Sequence, residues 1–115
     1  MRELELASEL QCSYGILMAE LRFEWDIRKN TANKRKHKVS FEEAETVFLD
    51  ERALLIADPD HSEDEDRFVL LGLSAALRTL VVCHCHREQG EVIRIISARK
   101  ANRSERTEYN RRWRQ

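Results

Sequence analysis

Glycine and proline are scarce in this chain, with three glycines and one proline among 115 residues. So thin a supply excludes collagen-like, linker-like and low-complexity architectures and leaves few places for irregular loops. Aromatic residues are also few, at 7%, against 42% hydrophobic and 36% charged residues. That balance describes one globular domain with densely charged surfaces, because a chain of this length does not divide into two stable cores. No apolar run approaches the roughly 18 to 20 residues that a bilayer-spanning helix needs. The opening "MRELELASELQCSYGILMAE" carries acids where a secretory leader needs an uninterrupted apolar core. A cytoplasmic protein without a membrane partner is expected. Cysteine is sparse too: Cys12, Cys83 and Cys85 form an odd set without framework spacing, which argues against structural disulfides.

What the chain has in abundance is charge, and it is segregated. The net charge is only -1, yet "RKNTANKRKHK" holds Arg28, Lys29, Lys34, Arg35, Lys36 and Lys38 without one acid. Acids dominate from Glu42 to Asp66, and from Arg99 onward the balance is basic again. Two basic blocks that met in space would form the cationic footprint of a phosphate-handling protein, whereas either block alone is equally well explained as a solvated helix face.

Residues 1–20 contain no turn signal tying them to the rest of the chain, and Met18 stands just before the first organised segment. They are expected to be an extension without function, mobile or not native, with residues 21–115 as the folded domain. "LRFEW" alternates like a strand, and Asp26 is placed to cap a helix through "IRKNTANKRKH". "SFEE" sets Glu43 three residues after Ser40, the capping-box spacing, and Phe41, Ala44, Val47 and Phe48 then share one apolar face. From Ala53 the period becomes that of strands: "ALLIAD", an acidic connection "DPDHSEDED", then "RFVLLGLS", "LRTLVVCHCHR" and "VIRIISAR", the last two joined by "EQGE" as an antiparallel hairpin. Asn102 and Glu105 repeat the capping spacing before a terminal helix. The fold class is α+β, a twisted antiparallel sheet packed with two N-terminal helices and one C-terminal helix.

Several residues invite a chemical role. In "CHCH" the alternation of a strand sends Cys83 and Cys85 to one face and His84 and His86 to the other, so four zinc ligands do not converge; buried thiols with surface histidines are expected and no cofactor or metal. His37 lies among cations where the first helix ends, a setting that disfavours the protonated imidazole and suits either a neutral base or a cap for helix carbonyls. Tyr109 and Trp113 share a helix face with Glu105; Trp113 reads as packing, and Tyr109 is open to packing, base stacking or proton transfer. Arg67, Arg94 and Arg99 lie in or beside apolar strands, where a guanidinium needs a carboxylate or a phosphate nearby. In a regular strand Arg94 and Arg99 point to opposite faces, and only a bulge or an early strand end relaxes this.

"FEWD", "NKRKHKVSFEEA", "DPDHSEDEDRFVLLGLS" and "IRIISARKANRSERTEY" together resemble the BrnT family of bacterial toxins, from about Leu21 to about Tyr109. The resemblance implies a RelE-like fold and a ribonuclease that slows translation when free. It also implies a BrnA-like antitoxin of the ribbon-helix-helix type, and a complex of the two that represses its own promoter at operator DNA. Lys36 and His37 match the family's basic-histidine pair, Arg67 its strand-opening arginine and Arg99 the arginine of "ISARK"; Arg94 and Tyr109 match family positions as well. Two departures stand out: Lys38 replaces a common glycine, and "CHCH" occupies a strand usually free of cysteine. RNA cleavage by its own 2′-hydroxyl needs a base, cations at the phosphorane and an acid for the 5′-oxygen, and these groups are present without a metal. Arg67 and Arg99 are assigned to the phosphate, and Lys36 to guiding the backbone. His37 or Tyr109 is assigned to proton transfer, and Lys34, Arg35, Arg94, Lys100, Arg103 and Arg106 to RNA contacts. The alternatives are a nucleic-acid-binding or regulatory subunit without chemistry, and a zinc module built on "CHCH".

Overall fold

The computed structural model describes residues 21–57, 67–87 and 91–113. The N-terminal extension, the acidic connection 58–66, the turn at 88–90 and the side chain of Trp113 lie outside the described residues. The elements run β1 (Arg22–Glu24), α1 (Ile27–His37), α2 (Phe41–Thr46) with a 3-10 turn (Val47–Leu49), β2 (Leu54–Ala57), β3 (Arg67–Leu73), β4 (Thr79–Arg87), β5 (Val92–Lys100) and α3 (Arg103–Trp113).

Helix α1 starts where Asp26 Oδ1 accepts the backbone N–H groups of Arg28 at 2.8 Å and Lys29 at 3.3 Å. It buries two asparagines and no apolar side chain, which is why its sequence looks polar all round. Asn33 Nδ2 donates to the carbonyls of Val39 and Ala98, each at 2.8 Å, and its Oδ1 accepts the Ala98 N–H at 3.2 Å. Asn30 bonds the Phe41 N–H and the Glu42 carboxylate, so a buried amide joins α1 to α2. Asn33→Ala is expected to cost about 2 kcal/mol, since it strands buried backbone groups of β5; urea denaturation checks this. The helix ends at Lys38, whose φ of 62° and ψ of 30° place it in the left-handed region. A side chain there costs about 1 kcal/mol that glycine avoids. Lys38→Gly is accordingly expected to raise stability by somewhat under about 1 kcal/mol, the gain being offset in part by the freer unfolded chain; a thermal melt reads it.

Ser40 caps α2 by accepting the Glu43 N–H at 3.0 Å, but the Glu43 carboxylate turns away from the cap to Arg78 and the Ser74 hydroxyl. Arg78 beside it and the Ser74 hydroxyl hold that carboxyl below its ordinary range against the opposing effect of burial. The sheet order is β1-β5-β4-β3-β2. It is mixed, a correction to the all-antiparallel expectation: β1 runs parallel to β5, with Phe23 opposite Ile93, while every other pair is antiparallel. Alternation in "LRFEW" shows that β1 is a strand but carries nothing about its neighbour, and a three-residue edge strand has little pattern to specify one.

One sheet face packs Leu70, Leu80, Val82, Ile95 and Ala98 against Val39, Phe41, Ala44 and Val47. On the other, Leu71 and Val81 meet Ala101 and Tyr109. Side chains buried this fully each contribute on the order of 1.5–3 kcal/mol, so the first cluster is the main source of stability. Between β4 and β5 the pairing jumps from Cys83↔Ser97 to His84↔Ile95, leaving Ile96 as an extra residue. That bulge flips the alternation of β5, and the candidate site depends on it.

Candidate active site and nucleic-acid interface

Because of the bulge, Arg94 and Arg99 share a face despite their odd spacing. Cross-strand pairs lie on the same side of a sheet, so the pairing Arg67↔Cys85↔Arg94 sets two guanidinium stems on either side of one thiol. Two pairs further along, Leu71↔Val81↔Arg99 puts Arg99 on the same face, four residues or roughly 13 Å from that row. Cys83 and Ser97 lie between. Helix α3 packs on Leu71 and Val81, at the Arg99 end.

The two strand arginines of β5 meet carboxylates, as their placement demands. Arg94 Nη1 donates to Glu24 Oε2 at 3.0 Å, and Arg87 reaches the same oxygen at 3.6 Å. Both pairs are solvent-accessible and contribute little to stability. Arg99 is held more tightly: Nη1 and Nη2 donate to the two Glu105 oxygens at 2.9 Å each, and Nη1 also to the Lys100 carbonyl at 3.3 Å. This fork fixes the guanidinium plane. Each partner stabilises the charge of the other, so the Glu105 carboxyl is held below, and the Arg99 guanidinium above, its ordinary value. Glu105 also closes a reciprocal capping box with Asn102, with both bonds 2.8 Å long. One residue thereby starts α3 and orients Arg99.

The remaining cations divide between the two sides of the sheet. Lys34, Arg35 and Lys36 are exposed on α1 and His37 is half-buried at its end; α1 packs on the face opposite the arginine row. Lys100 pairs with Leu80 and so points to the α1 side. Arg103 and Arg106 are exposed on α3, where Arg106 Nη1 donates to the Ala101 carbonyl at 2.8 Å. The basic blocks therefore do not merge into one flat face. They converge on one end of the sheet from opposite sides, where the β3–β4 turn is gripped by both: Arg78 Nη2 donates to the Lys38 carbonyl and the Ala101 N–H to the Thr79 carbonyl, both at 2.9 Å.

Tyr109 belongs to the core. It is 2% exposed and its hydroxyl donates to Asp50 Oδ2 at 2.6 Å, so its ring is not presented to a base and its proton is committed inside the fold. The histidines of "CHCH" also differ from expectation. His84 is fully buried, not a surface residue, because its face is the one covered by α1 and α2. Burial, opposed in part by a bond to the Val82 carbonyl, brings its pKa down to about 4. Cys85 is buried and Cys83 half-buried on the arginine face. Among the described residues no three His, Cys, Asp or Glu side chains form a metal-binding group.

A family model described as the ribonuclease toxin, BrnT, of type II toxin-antitoxin systems matches residues 25–105. The chain belongs to the BrnT family. Its fold is similar to that of the Brucella abortus ribonuclease toxin BrnT, known from a crystal structure, with 22% identity over 72% of this chain and 99% of that one and a TM-score of 0.57. Among curated proteins nothing matches. The α+β, RelE-like architecture of this BrnT domain is thus the family's own, and the residues matched include β3 and β5, the strands that carry the arginine row. Sequence reasoning took Glu105 as a cap alone. The signal for its second role was its place six residues beyond an arginine that a strand would otherwise leave uncompensated.

Proposed function

We propose that the chain is a metal-independent endoribonuclease whose active face is the arginine side of the sheet. The observation that carries the reading is the bulge at Ile96, which gathers Arg67, Arg94 and Arg99 on one surface beside a helix bearing Arg103 and Arg106. A phosphorane developing during 2′-hydroxyl attack carries two negative charges in place of one, and fixed guanidinium donors stabilise that change without reorganisation. Arg99 retains donors beyond those given to Glu105, because a guanidinium has five N–H groups. In this reading Arg99 binds the scissile phosphate, while Arg67 and Arg94, in a row roughly 13 Å away along the strands, and Arg103 and Arg106 hold neighbouring phosphates of the backbone. Lys34, Arg35, Lys36 and Lys100 extend the contact around the sheet end, and His37, at that end, is the candidate for proton transfer. Free toxin of this kind inhibits translation by cutting RNA in the cytoplasm. A BrnA-like ribbon-helix-helix antitoxin neutralises it, and the complex represses the operon at operator DNA. Purified antitoxin-free protein incubated with end-labelled RNA in excess EDTA tests the core of this: fragments should accumulate at the rate seen without chelator, and dependence on added metal would sink it.

One observation favours a second reading, a regulatory subunit that binds RNA without cutting it. Both β5 arginines already have carboxylate partners, Glu24 and Glu105. Salt-sensitive RNA binding with intact RNA would decide for that alternative.

A further inference from the structure

The β3–β4 turn carries an apolar side chain where its backbone favours glycine. Leu77 has a φ of 64°, in the left-handed region, and is 78% exposed. Its N–H donates to the Ser74 carbonyl and the Ser74 N–H to the Arg78 carbonyl, each at 2.9 Å. That closes a three-residue hairpin loop whose last residue is ordinarily glycine. A leucine in this conformation costs free energy, and at such exposure no core contact offsets it, so stability does not account for the residue. Nor is the tip free to relax, because it is held from α2. The buried Ser74 donates its hydroxyl to Glu43 at 2.7 Å and accepts the Ala76 N–H at 3.2 Å, while the Ala75 N–H donates to Thr46 Oγ1 at 2.8 Å. Leu77 is presented to solvent on a fixed mount.

This tip stands at the end of the sheet on which both basic blocks converge. Arg78, the next residue, donates to the Lys38 carbonyl at the close of α1, and Thr79 accepts from Ala101, two residues before Arg103. Lys34, Lys36, Lys38, Arg103 and Arg106 are exposed, whereas Glu43 and Glu105 are engaged by Arg78 and Arg99. Val81, the cross-strand partner of Arg99, lies four residues from Leu77 along the chain, a span of at most roughly 13 Å. Single-stranded RNA offers apolar base faces as well as charge, and aromatic side chains are its usual platform. Among the described residues no phenylalanine, tyrosine or tryptophan is exposed. An aliphatic wedge such as leucine does related work, packing on one base and parting it from its neighbour.

We propose that Leu77 is a wedge that packs against a nucleobase of bound single-stranded RNA, close along the strand to the phosphate at Arg99, and parts that base from the next. The choice of ligand rests on the toxin reading. It is supported by the cations on both sides of the tip, which attract a polyanion and bring its bases to the leucine.

The test titrates the full chain into a single-stranded 2′-O-methyl RNA, which cannot be cut through a 2′-hydroxyl, carrying 2-aminopurine among adenosines. The fluorescence of 2-aminopurine rises when the base leaves its stack. The parent should bind with such a rise. Leu77→Asn should bind about tenfold more weakly without the rise, and should melt no lower than the parent, because asparagine suits the left-handed region. Leu77→Gly should behave alike, and Leu77→Met, apolar on the same backbone, should keep both affinity and signal. The salt dependence of binding should be the same in all four proteins, since no phosphate contact is lost. Undiminished binding and signal in Leu77→Asn, a loss shared by Leu77→Met, or a shallower salt slope would overturn the wedge. Cleavage of unmodified RNA is measured in parallel. A cleaving parent matched in binding and rate by Leu77→Asn would remove the wedge and leave the nuclease reading. Binding that depends on Leu77 with no cleavage would remove the nuclease reading and leave the wedge, and a parent that binds no RNA would overturn the wedge itself.

Discussion

Arg99→Ala should lower the rate of RNA cleavage about a hundred- to a thousandfold, the usual consequence of removing one preorganised donor from a developing anion. The stability cost should be small, because the Arg99 side chain is 43% exposed and its ion pair with Glu105 is screened by solvent. Circular dichroism on the variant separates the two effects. Removing Arg99 has a second consequence that arises from the same fork: the Glu105 carboxylate is left uncompensated beside the approaching phosphate. Arg99→Ala combined with Glu105→Gln should therefore recover part of the lost RNA affinity while leaving cleavage slow, since the repulsion is relieved but the cation is not restored. Arg99→Lys should recover little of the rate, because one ammonium cannot hold Glu105 and a phosphate in the geometry of a planar fork. An unchanged cleavage rate in folded Arg99→Ala would remove Arg99 from the site.

Acid should destabilise the fold earlier than its carboxylates alone would require, and His84 is the reason. Its imidazole titrates at about 4 in the fold against an ordinary 6.5, because protonation would bury a charge. Between these values the unfolded chain binds a proton that the folded chain excludes, so stability rises with pH there. The neutral ring's contribution is complete above 6.5 and is lost as pH falls toward 4. The difference corresponds to about 3 kcal/mol. Glu43 and Glu105, both held below their ordinary value of 4.5, act lower: their stabilisation is present above it and is lost as pH falls further. Urea midpoints measured from pH 7 to pH 4 should decline for the parent, and the decline down to about pH 5 should flatten in His84→Phe. Parallel profiles for the two proteins would contradict the assignment.

Much of the architecture can be read from local patterns because local rules govern it. Asp26 and Ser40 cap the helices they precede, Asn102 and Glu105 close the third cap, and each long strand keeps its alternation up to the bulge. What escapes such reading is pairing. Nothing in "LRFEW" specifies a parallel partner 70 residues away, and nothing in "VIRIISARK" marks Ile96 as the residue that the ladder skips. The three arginines are visible as costly in strands, yet whether they share a surface depends on that single extra residue. Tyr109 and His84 show the same limit: a tyrosine among arginines stays open between packing and chemistry, a histidine beside cysteines reads as a surface residue, and both are buried because the layer above them is set by tertiary packing. Asn30 and Asn33 show it in reverse, since buried amides bonded to backbone are indistinguishable in sequence from a solvated helix face.

The most direct measurement of the central claim is the chemistry of the cut ends. Fragments released from a defined RNA by antitoxin-free protein in EDTA, analysed by mass spectrometry, should carry 2′,3′-cyclic phosphate or its 3′-phosphate hydrolysis product, opposite a 5′-hydroxyl. Ends with 3′-hydroxyl and 5′-phosphate, formed only when a divalent cation is supplied, would mean that water and a metal attack the phosphate and that the arginine face does not do so through the 2′-hydroxyl.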